Sequence, residues 1–180
     1  MSKNNSLKNL IITTLVLLVS LLVSCQKQEQ EISVASQEKS IESFVNTQTN
    51  SRIAFNGGVN RVVLEEGAGD TLASGDSLIL EYAAYIFSSG KGSVFATNIP
   101  EIAVLAGIDI SNSGMENYGI QLGKTSLLSG VELGLRGVRK GEHSYIVFSS
   151  RFGYGNKIVG IVPKYSPLIF EVWIKDVKKN

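Results

Sequence analysis

Glycines divide the last third of the chain, from Tyr118 to Val177, into short apolar segments. The stretch reads Y-G-I-Q-L-G, then V-E-L-G-L-R-G-V-R-K-G-E, then F-G-Y-G, and finally G-I-V-P-x-x-S-P-L-I-F-E-V. Glycine serves where a chain turns tightly or where two elements approach closely. The apolar residues between the glycines form no pattern of nucleophiles, metal ligands or phosphate-binding groups. This stretch therefore predicts turns and short strands, and its apolar residues are of a type that could build an apolar pocket.

Composition excludes several classes of function. The 180 residues suffice for one domain with additional segments. Lys and Arg total 17 and Asp and Glu total 16, without a basic or acidic block, so we expect no nucleic-acid partner. One cysteine cannot form an internal disulfide, and one histidine, His143, cannot build a His-rich metal site. We expect His143 to be a solvated turn residue, and nothing in the sequence requires a metal or a cofactor.

Residues 1–24 have the layout of an export signal. Lys3 and Lys8 precede an apolar run, Leu10–Val23, that is short for a spanning helix. The run ends in L-V-S-C, which resembles the bacterial lipobox, and its cysteine is Cys25. The resemblance implies lipidation of Cys25 and stable attachment to a membrane of the cell envelope. Gln26 is not the aspartate associated with inner-membrane retention, which favours the outer membrane. A plain signal peptide, or an uncleaved anchor with an incidental thiol, is the alternative.

Residues 25–50 are predicted to be a flexible tether between membrane and domain. Gln, Ser, Glu, Asn and Thr dominate this segment, and its aliphatic residues are sparse and irregular. Such a composition buries too little surface to offset the entropy of ordering. A short helix around Ile41–Val45 is the only structure that the segment suggests.

Residues 51–180 carry the signals of a folded α+β domain. Strands are predicted from about Ile53, at Val62–Leu64, at Leu78–Ile86, at Ser144–Phe148 and at Leu168–Val177. In the last strand, the alternation predicts that Leu168, Phe170, Val172 and Ile174 point one way and that Glu171 and Lys175 point the other way.

One short helix is predicted after a cap at Thr125 or Ser126, and it should end near Gly137. Leu128, Val131 and Leu135 form its apolar face. Many short strands with one helix indicate an antiparallel twisted β-sheet wrapped around that helix.

The order of these residues resembles the FKBP-type peptidyl-prolyl cis-trans isomerases, over about Val62 to Val177. The family has this fold and needs a shaped apolar pocket rather than a reactive side chain. The resemblance implies a catalytic set and a substrate-binding set. The catalytic residues would be Tyr154, Phe95 and Leu128, with the Tyr154 hydroxyl and the Leu128 N–H donating to substrate carbonyls. The substrate-binding residues would be Tyr82, Tyr118, Leu127, Val131, Ile161, Val162 and Phe170.

The sequence departs from the family's pattern at three places. Ala96 follows Phe95 where the family usually has an aspartate that lines the pocket, and Thr97 or Asn98 could replace its polar contact. Val131 stands where the family often has tryptophan. The loop over 96–117 is longer than the minimal pattern and contains an apolar run, Ile102–Ile108, that suggests an extra strand, a helix or surface packing.

Two functions follow from the resemblance. The first is a prolyl isomerase that helps exported envelope proteins to fold by acting on their Xaa-Pro segments, with activity reduced by Ala96. The second is a catalytically weak chaperone or assembly lipoprotein that uses the same pocket for binding. Some Bacteroidota carry FKBP-type lipoproteins linked to gliding motility and secretion, and this chain is similar in layout. The sequence leaves the oligomeric state unknown.

Overall fold

Seven antiparallel strands form one sheet in the part of the chain that the structure describes, which comprises residue 31, residues 33–109 and residues 118–180 of a computed structural model. The sheet order is β1-β2-β6-β7-β3-β4, and β5 also pairs with β3. The strands are β1 Arg52–Asn56, β2 Val59–Glu65, β3 Ser77–Phe87, β4 Lys91–Thr97, β5 Tyr118–Gln121, β6 His143–Phe148 and β7 Leu168–Lys178.

The chain divides into two compact units, residues 1–36 and residues 37–180, and the sheet belongs to the second. Within the first unit, residue 31 and residues 33–36 are described, and they are helical. The export signal, Cys25 and the start of the predicted tether lie outside the described residues. None of the described helices is long and apolar enough to cross a membrane.

Helix α3, Ser129–Leu135, packs on the inner face of the sheet, as the sequence predicts. Two of its glycines permit this close approach. A Cβ at Gly130 would overlap the ring of Phe148, and a Cβ at Gly134 would overlap the side chain of Ile146. Glycine costs helix stability, but here it lets the helix backbone lie directly on β6. The resulting core is apolar and holds Val131 and Leu135 from the helix.

The predicted cap of α3 is wrong. Leu128 occupies the N-cap position in an extended conformation, and no side chain caps the helix. Thr125 is used earlier, because its Oγ1 accepts a hydrogen bond from the Gln121 N–H at 2.9 Å. The hydroxyl therefore closes the turn after β5 instead of the first turn of the helix.

Helix α1, residues 37–46, covers the outer face of the same sheet. Ile41 and Val45 are buried against Val62, Val147 and Ile169. The prediction of a flexible tether through residue 50 is therefore wrong for this segment. Its apolar residues are few, but they recur at helical spacing and find a sheet face to cover.

Glu171 points to the opposite face of β7 from Phe170, as the sequence predicts, and it is buried because both faces of the strand are covered. Its carboxylate is buried and accepts hydrogen bonds from Lys91 at 3.1 Å and Tyr85 at 3.2 Å. His143 lies 3.0 Å from the same carboxylate and stacks on Trp173 with ring centroids 4.7 Å apart. His143 is therefore a half-buried strand residue rather than a solvated turn residue.

The long loop after β4 contains a helix, α2, Pro100–Ala106. It begins with proline in its first turn and ends at Gly107, whose left-handed conformation (φ 66°) closes the helix. Ala103 is its buried residue, whereas Val104 and Leu105 point into solvent. Most of the apolar run thus forms helix α2. Only part of that helix packs on the domain, because two of its apolar side chains point into solvent.

Candidate active site

The floor of the candidate site is an aromatic cluster on the inner face of the sheet. Tyr82 on β3 and Phe170 on β7 lie diagonally across the two paired strands, with ring centroids 6.4 Å apart and nearly parallel planes. Phe148 on β6 stacks beneath Phe170 at 5.8 Å. Such offset arrangements of rings are favourable beyond the area that they bury. The cluster gives the site a rigid apolar base.

A β-bulge in β4 brings Phe95 into this cluster. Ala84 pairs with Ala96, but the next residue, Tyr85, pairs with Val94, so Phe95 is the extra residue of the strand. Neighbouring residues of a regular strand face opposite sides, and a bulge changes this rule locally. Phe95 and Ala96 consequently both pack against the inner core.

Phe95 connects the floor to the rim of the site. Its ring meets Phe170 edge-on at 5.9 Å and Tyr154 at 6.2 Å. Tyr154 lies in the turn after a 3₁₀ helix, Ser150–Phe152, between Gly153 and Gly155. The edge-to-face pair with Phe95 holds the Tyr154 ring against the sheet, and Tyr154 itself is half-buried.

The Tyr154 hydroxyl is a candidate hydrogen-bond donor for a bound substrate. No other described residue forms a hydrogen bond with it. Partial burial raises the pKa of this hydroxyl above its ordinary value, because the phenolate would be poorly solvated. At neutral pH the group is therefore protonated. It offers a donor to a carbonyl that enters the site.

Backbone contacts and one side chain from α1 hold the Tyr154 turn in place. The Gly155 N–H donates to the Ser150 carbonyl at 3.2 Å, and the Tyr165 N–H donates to the Gly155 carbonyl at 2.8 Å. Gln37 then bridges the two ends, accepting from the Ser150 N–H and donating to the Tyr165 carbonyl, both at 2.8 Å. Helix α1 thus takes part in positioning the loop that carries Tyr154.

Leu127 and Leu128 line the approach to α3 and are half-buried against the inner core. The extended backbone of Leu128 (φ −61°, ψ 139°) leaves its N–H without an acceptor among the described residues. Val131, one turn into the helix, is buried at the base of the same cluster. This edge therefore offers a second hydrogen-bond donor beside an apolar surface.

Ile161 and Val162 lie in different environments in the structure, although both were predicted to bind substrate. Val159 and Val162 exchange backbone hydrogen bonds of 3.1 and 2.9 Å and close a tight loop. Val162 is completely buried in the inner core, whereas Ile161 is 61% exposed and is not part of that core. The structure thus brings together eight predicted residues: Tyr82, Phe95, Leu127, Leu128, Val131, Tyr154, Val162 and Phe170. Tyr118 begins β5, but its side chain lies outside the described residues.

Thr97 and Asn98 do not replace the polar contact that Ala96 lacks. Thr97 Oγ1 donates to the Tyr82 carbonyl at 2.7 Å. The Asn98 side chain accepts from the Tyr82 N–H at 2.7 Å and donates to the Leu80 carbonyl at 3.0 Å. Both side chains are buried and fill the gap along β3 between the ends of β4 and β5. They hold the backbone of Tyr82 and leave no polar group for a ligand.

Sequence reasoning missed Phe148 as part of the site, although it predicted the strand. The side chain is fully buried and supports Phe170 from below. The alternation of β6 could have identified it, because Phe148 shares a strand face with Ile146.

The predicted residues that the structure brings together are aromatic or aliphatic, and the donors beside them are a tyrosine hydroxyl and a backbone N–H. Such a site can bind a proline ring and two carbonyls, and it can exclude water from a twisted amide. Residues 69–175, more than half of the chain, match the family of FKBP-type peptidyl-prolyl cis-trans isomerases. The chain belongs to this family. Membership supports peptidyl-prolyl isomerisation as its function.

Known FKBPs resemble the chain over about two thirds of its length. FK506-binding protein 1 of Aspergillus oryzae is 28% identical over 118 residues, which cover 64% of this chain and 94% of that protein. The human protein named inactive peptidyl-prolyl cis-trans isomerase FKBP6 is 26% identical over 122 residues, covering 66% of this chain and 32% of that protein. Similarity to FKBPs therefore extends to a relative whose name marks it as inactive.

Solved structures agree with the fold. FkpA from Escherichia coli matches with a TM-score of 0.57 and 22% identity, covering 93% of this chain and 71% of that chain. A peptidyl-prolyl isomerase from Pseudomonas syringae matches with a TM-score of 0.57 and 16% identity, covering 83% and 96%. The antiparallel sheet wrapped on α3 is therefore the FKBP fold, as the sequence predicted.

Proposed function

We propose that this FKBP catalyses cis-trans isomerisation of Xaa-Pro bonds in exported proteins of the cell envelope. The observation that carries the proposal is the cluster of Phe95, Tyr154 and Phe170, in which the half-buried Tyr154 hydroxyl has no described partner. Uncatalysed isomerisation takes tens to hundreds of seconds, so a folding catalyst outside the cytoplasm has a clear use.

The proposed mechanism requires no covalent step. Rotation about the amide faces a barrier of about 18–20 kcal/mol, because conjugation is lost at the twisted geometry. The proline ring would sit on Tyr82, Phe95 and Phe170, with Val131 at the base. The Tyr154 hydroxyl and the Leu128 N–H would each donate to a substrate carbonyl. These contacts accelerate rotation to the extent that they bind the twisted amide more tightly than the planar one.

Two variants of Tyr154 test the mechanism in the full-length chain. Tyr154→Phe removes the hydroxyl and keeps the ring contacts, so we expect kcat/KM for a short Xaa-Pro peptide to fall about tenfold, as for the loss of one hydrogen bond of about 1.4 kcal/mol. Tyr154→Leu also removes the edge-to-face contact with Phe95 and should fall further. Unchanged kcat/KM in both variants would exclude the proposed role of this residue.

A binding protein with weak turnover is the second candidate. Two observations favour it. Ala96 stands where the family usually has an acidic group, and the side chains of Thr97 and Asn98 already form hydrogen bonds with the backbone of Tyr82. We expect Ala96→Asp to increase kcat/KM for Xaa-Pro peptides if this absence limits turnover. Suppressed aggregation of an unfolded protein by the wild type, without isomerisation of any peptide, would favour the binding role. Assembly for gliding motility or secretion is a form of this candidate that the genes beside the coding region would test.

The proposed location is the envelope, through lipid on Cys25 and with the outer membrane favoured. The motif L-V-S-C after the apolar run Leu10–Val23 supports it. In cells that produce the chain, Cys25→Ser should abolish incorporation of labelled palmitate and release the protein from the membrane fraction. Retention of the label by this variant would contradict the anchor.

A further inference from the structure

A ring of four hydrogen bonds closes the neck of the loop that carries Tyr154. Two of the bonds lie within the loop. The Gly155 N–H donates to the Ser150 carbonyl at 3.2 Å, and the Tyr165 N–H donates to the Gly155 carbonyl at 2.8 Å. The side-chain amide of Gln37 completes the ring, because it accepts from the Ser150 N–H and donates to the Tyr165 carbonyl, both at 2.8 Å. Gly155 directly follows Tyr154 in the chain, so the ring fixes the backbone beside the phenol.

The start of the loop depends on Gln37 for an acceptor. Ser150 is the first residue of the 3₁₀ helix, and the side chain of Ser149 at the N-cap position does not cap it. Ser150 is also buried. A buried backbone N–H without an acceptor is costly, so native structures almost always supply one. Without the Gln37 amide, we expect the start of the loop to move until this N–H reaches another acceptor or water.

The end of the loop has an unusual backbone conformation. Tyr165 has a positive φ of 56°, which is uncommon for a residue other than glycine. Such a conformation persists where the surrounding structure holds it in place. Here Gly155 accepts from the N–H of Tyr165, and Gln37 donates to its carbonyl. Loss of the Gln37 contact should therefore loosen this turn as well.

Gln37 comes from outside the part of the chain that matches the isomerase family. It lies in α1, whereas the match covers residues 69–175. The apolar face of α1 packs on the outer core through Ile41 and Val45. Glu38, the next residue of α1, accepts a hydrogen bond from the Ser149 hydroxyl at 3.3 Å. Helix α1 thus has its own packing on the sheet and presents Gln37 to the loop from a fixed place.

We propose that Gln37 is a positioning residue for isomerisation and that α1 is thereby part of the catalytic unit. Gln37 holds the loop so that the Tyr154 hydroxyl can donate to the substrate carbonyl. The inference rests on the proposed function, because it concerns the same donor. Displacement of a catalytic group by about 1 Å can lower a rate on the order of a hundredfold, so the neck of this loop bears directly on turnover.

A double-mutant cycle with Tyr154 tests the proposal in the full-length chain. Gln37→Met removes both hydrogen-bonding groups and keeps the length of the side chain. We expect it to lower kcat/KM for a short Xaa-Pro peptide about fivefold, which is less than the loss expected for Tyr154→Phe. In the Tyr154→Phe background the same substitution should lower kcat/KM less than about twofold, because the hydroxyl that Gln37 positions is already absent. A general loss of folded protein would instead lower both backgrounds by the same factor.

Gln48→Met is the matched control. Its side-chain amide bonds within its own segment, to the Thr47 hydroxyl at 2.9 Å, so kcat/KM should stay unchanged. Gln37→Glu keeps an acceptor for the Ser150 N–H and should lose less activity than Gln37→Met. Fluorescence of Trp173 under the assay conditions shows whether each variant is folded. If Gln37→Met does not fold, Gln37→Glu takes its place in the cycle.

The outcomes separate this proposal from the proposed function. A wild type that isomerises the peptide, with equal losses in both backgrounds or no loss in either, overturns the role of Gln37 and leaves catalysis standing. A wild type that binds the peptide without isomerising it refutes catalysis, and the same cycle measured in dissociation constants then decides the role of Gln37. A wild type that neither binds nor isomerises any Xaa-Pro peptide overturns both.

Discussion

Replacement of Arg61 tests how a buried charge supports the helix that borders the site. Its Nε lies 3.1 Å from Glu142 Oε1, and the two side chains are 6% and 1% exposed. Its Nη1 also donates to the carbonyls of Gly134 and Arg136, at 2.8 and 2.7 Å, at the C-terminal end of α3. The guanidinium therefore satisfies helix carbonyls that have no partner within the helix. Removal of this group affects an ion pair and a helix end together.

The contacts predict an asymmetry between the two partners. Arg61→Met leaves the Glu142 carboxylate buried with only the Ser144 hydroxyl as a described partner, which should cost about 3–5 kcal/mol. Glu142→Gln leaves Arg61 its two carbonyl acceptors and should cost about 1–3 kcal/mol. Burial has the largest influence on the pKa of Arg61 and lowers it, while the nearby Glu142 raises it. Desolvation thus outweighs attraction, and the double variant Arg61→Met/Glu142→Leu should be more stable than Arg61→Met alone.

Urea unfolding of the full-length chain, followed by fluorescence of its single tryptophan, Trp173, measures these differences. With a slope of about 2 kcal/mol per molar urea, a loss of about 4 kcal/mol lowers the midpoint by roughly 2 M. A loss below about 1 kcal/mol in Arg61→Met would refute the argument. So would a double variant Arg61→Met/Glu142→Leu that is no more stable than Arg61→Met alone.

Two further predictions concern packing and pH. Gly134→Ala should destabilise the fold by about 1–2 kcal/mol. Overlap of the new Cβ with Ile146 costs about 1–3 kcal/mol, and the higher helix propensity of alanine offsets up to about 1 kcal/mol of that cost. Gly119→Ala, where no described atom lies within 4 Å of the new Cβ, should change stability by less than about 0.5 kcal/mol in the same urea assay. The hydrogen bond from Lys179 is the main cause that lowers the pKa of Asp76 in the folded state. Its stabilising effect is therefore complete above the unfolded pKa of about 3.9 and is lost as pH falls through the folded pKa. The midpoint of wild type should consequently fall more steeply below about pH 5 than that of Asp76→Asn, and parallel curves would contradict this assignment.

Much of the inner face could be predicted from the sequence. Alternation identified the inward residues of β7, and the spacing of Val131 and Leu135 identified α3. These signals are local, because strand and helix periods are set by backbone geometry. The resemblance to the FKBP family placed Phe95, Tyr154 and Phe170 in one site, and the structure brings their rings within about 6 Å of each other in two pairs.

The rest depended on contacts between residues far apart in the chain. The bulge that turns both Phe95 and Ala96 inward is a property of the pairing between β3 and β4, which neither strand shows alone. Ile161 and Val162 look equivalent in sequence, yet one is exposed and the other buried, because the loop closes on Val162 alone.

The sequence by itself determined the fold class, which follows from local periodicity, and its resemblance to the FKBP family identified the residues of the aromatic pocket. Tertiary structure decided which faces are covered. Glu171 is buried and His143 is half-buried because neighbouring strands place Tyr85, Lys91 and Trp173 against them, and no local pattern of β7 records those contacts. Among the described residues the Tyr154 hydroxyl has no hydrogen-bond partner for the same kind of reason, because the availability of a donor depends on every group that the fold places around it.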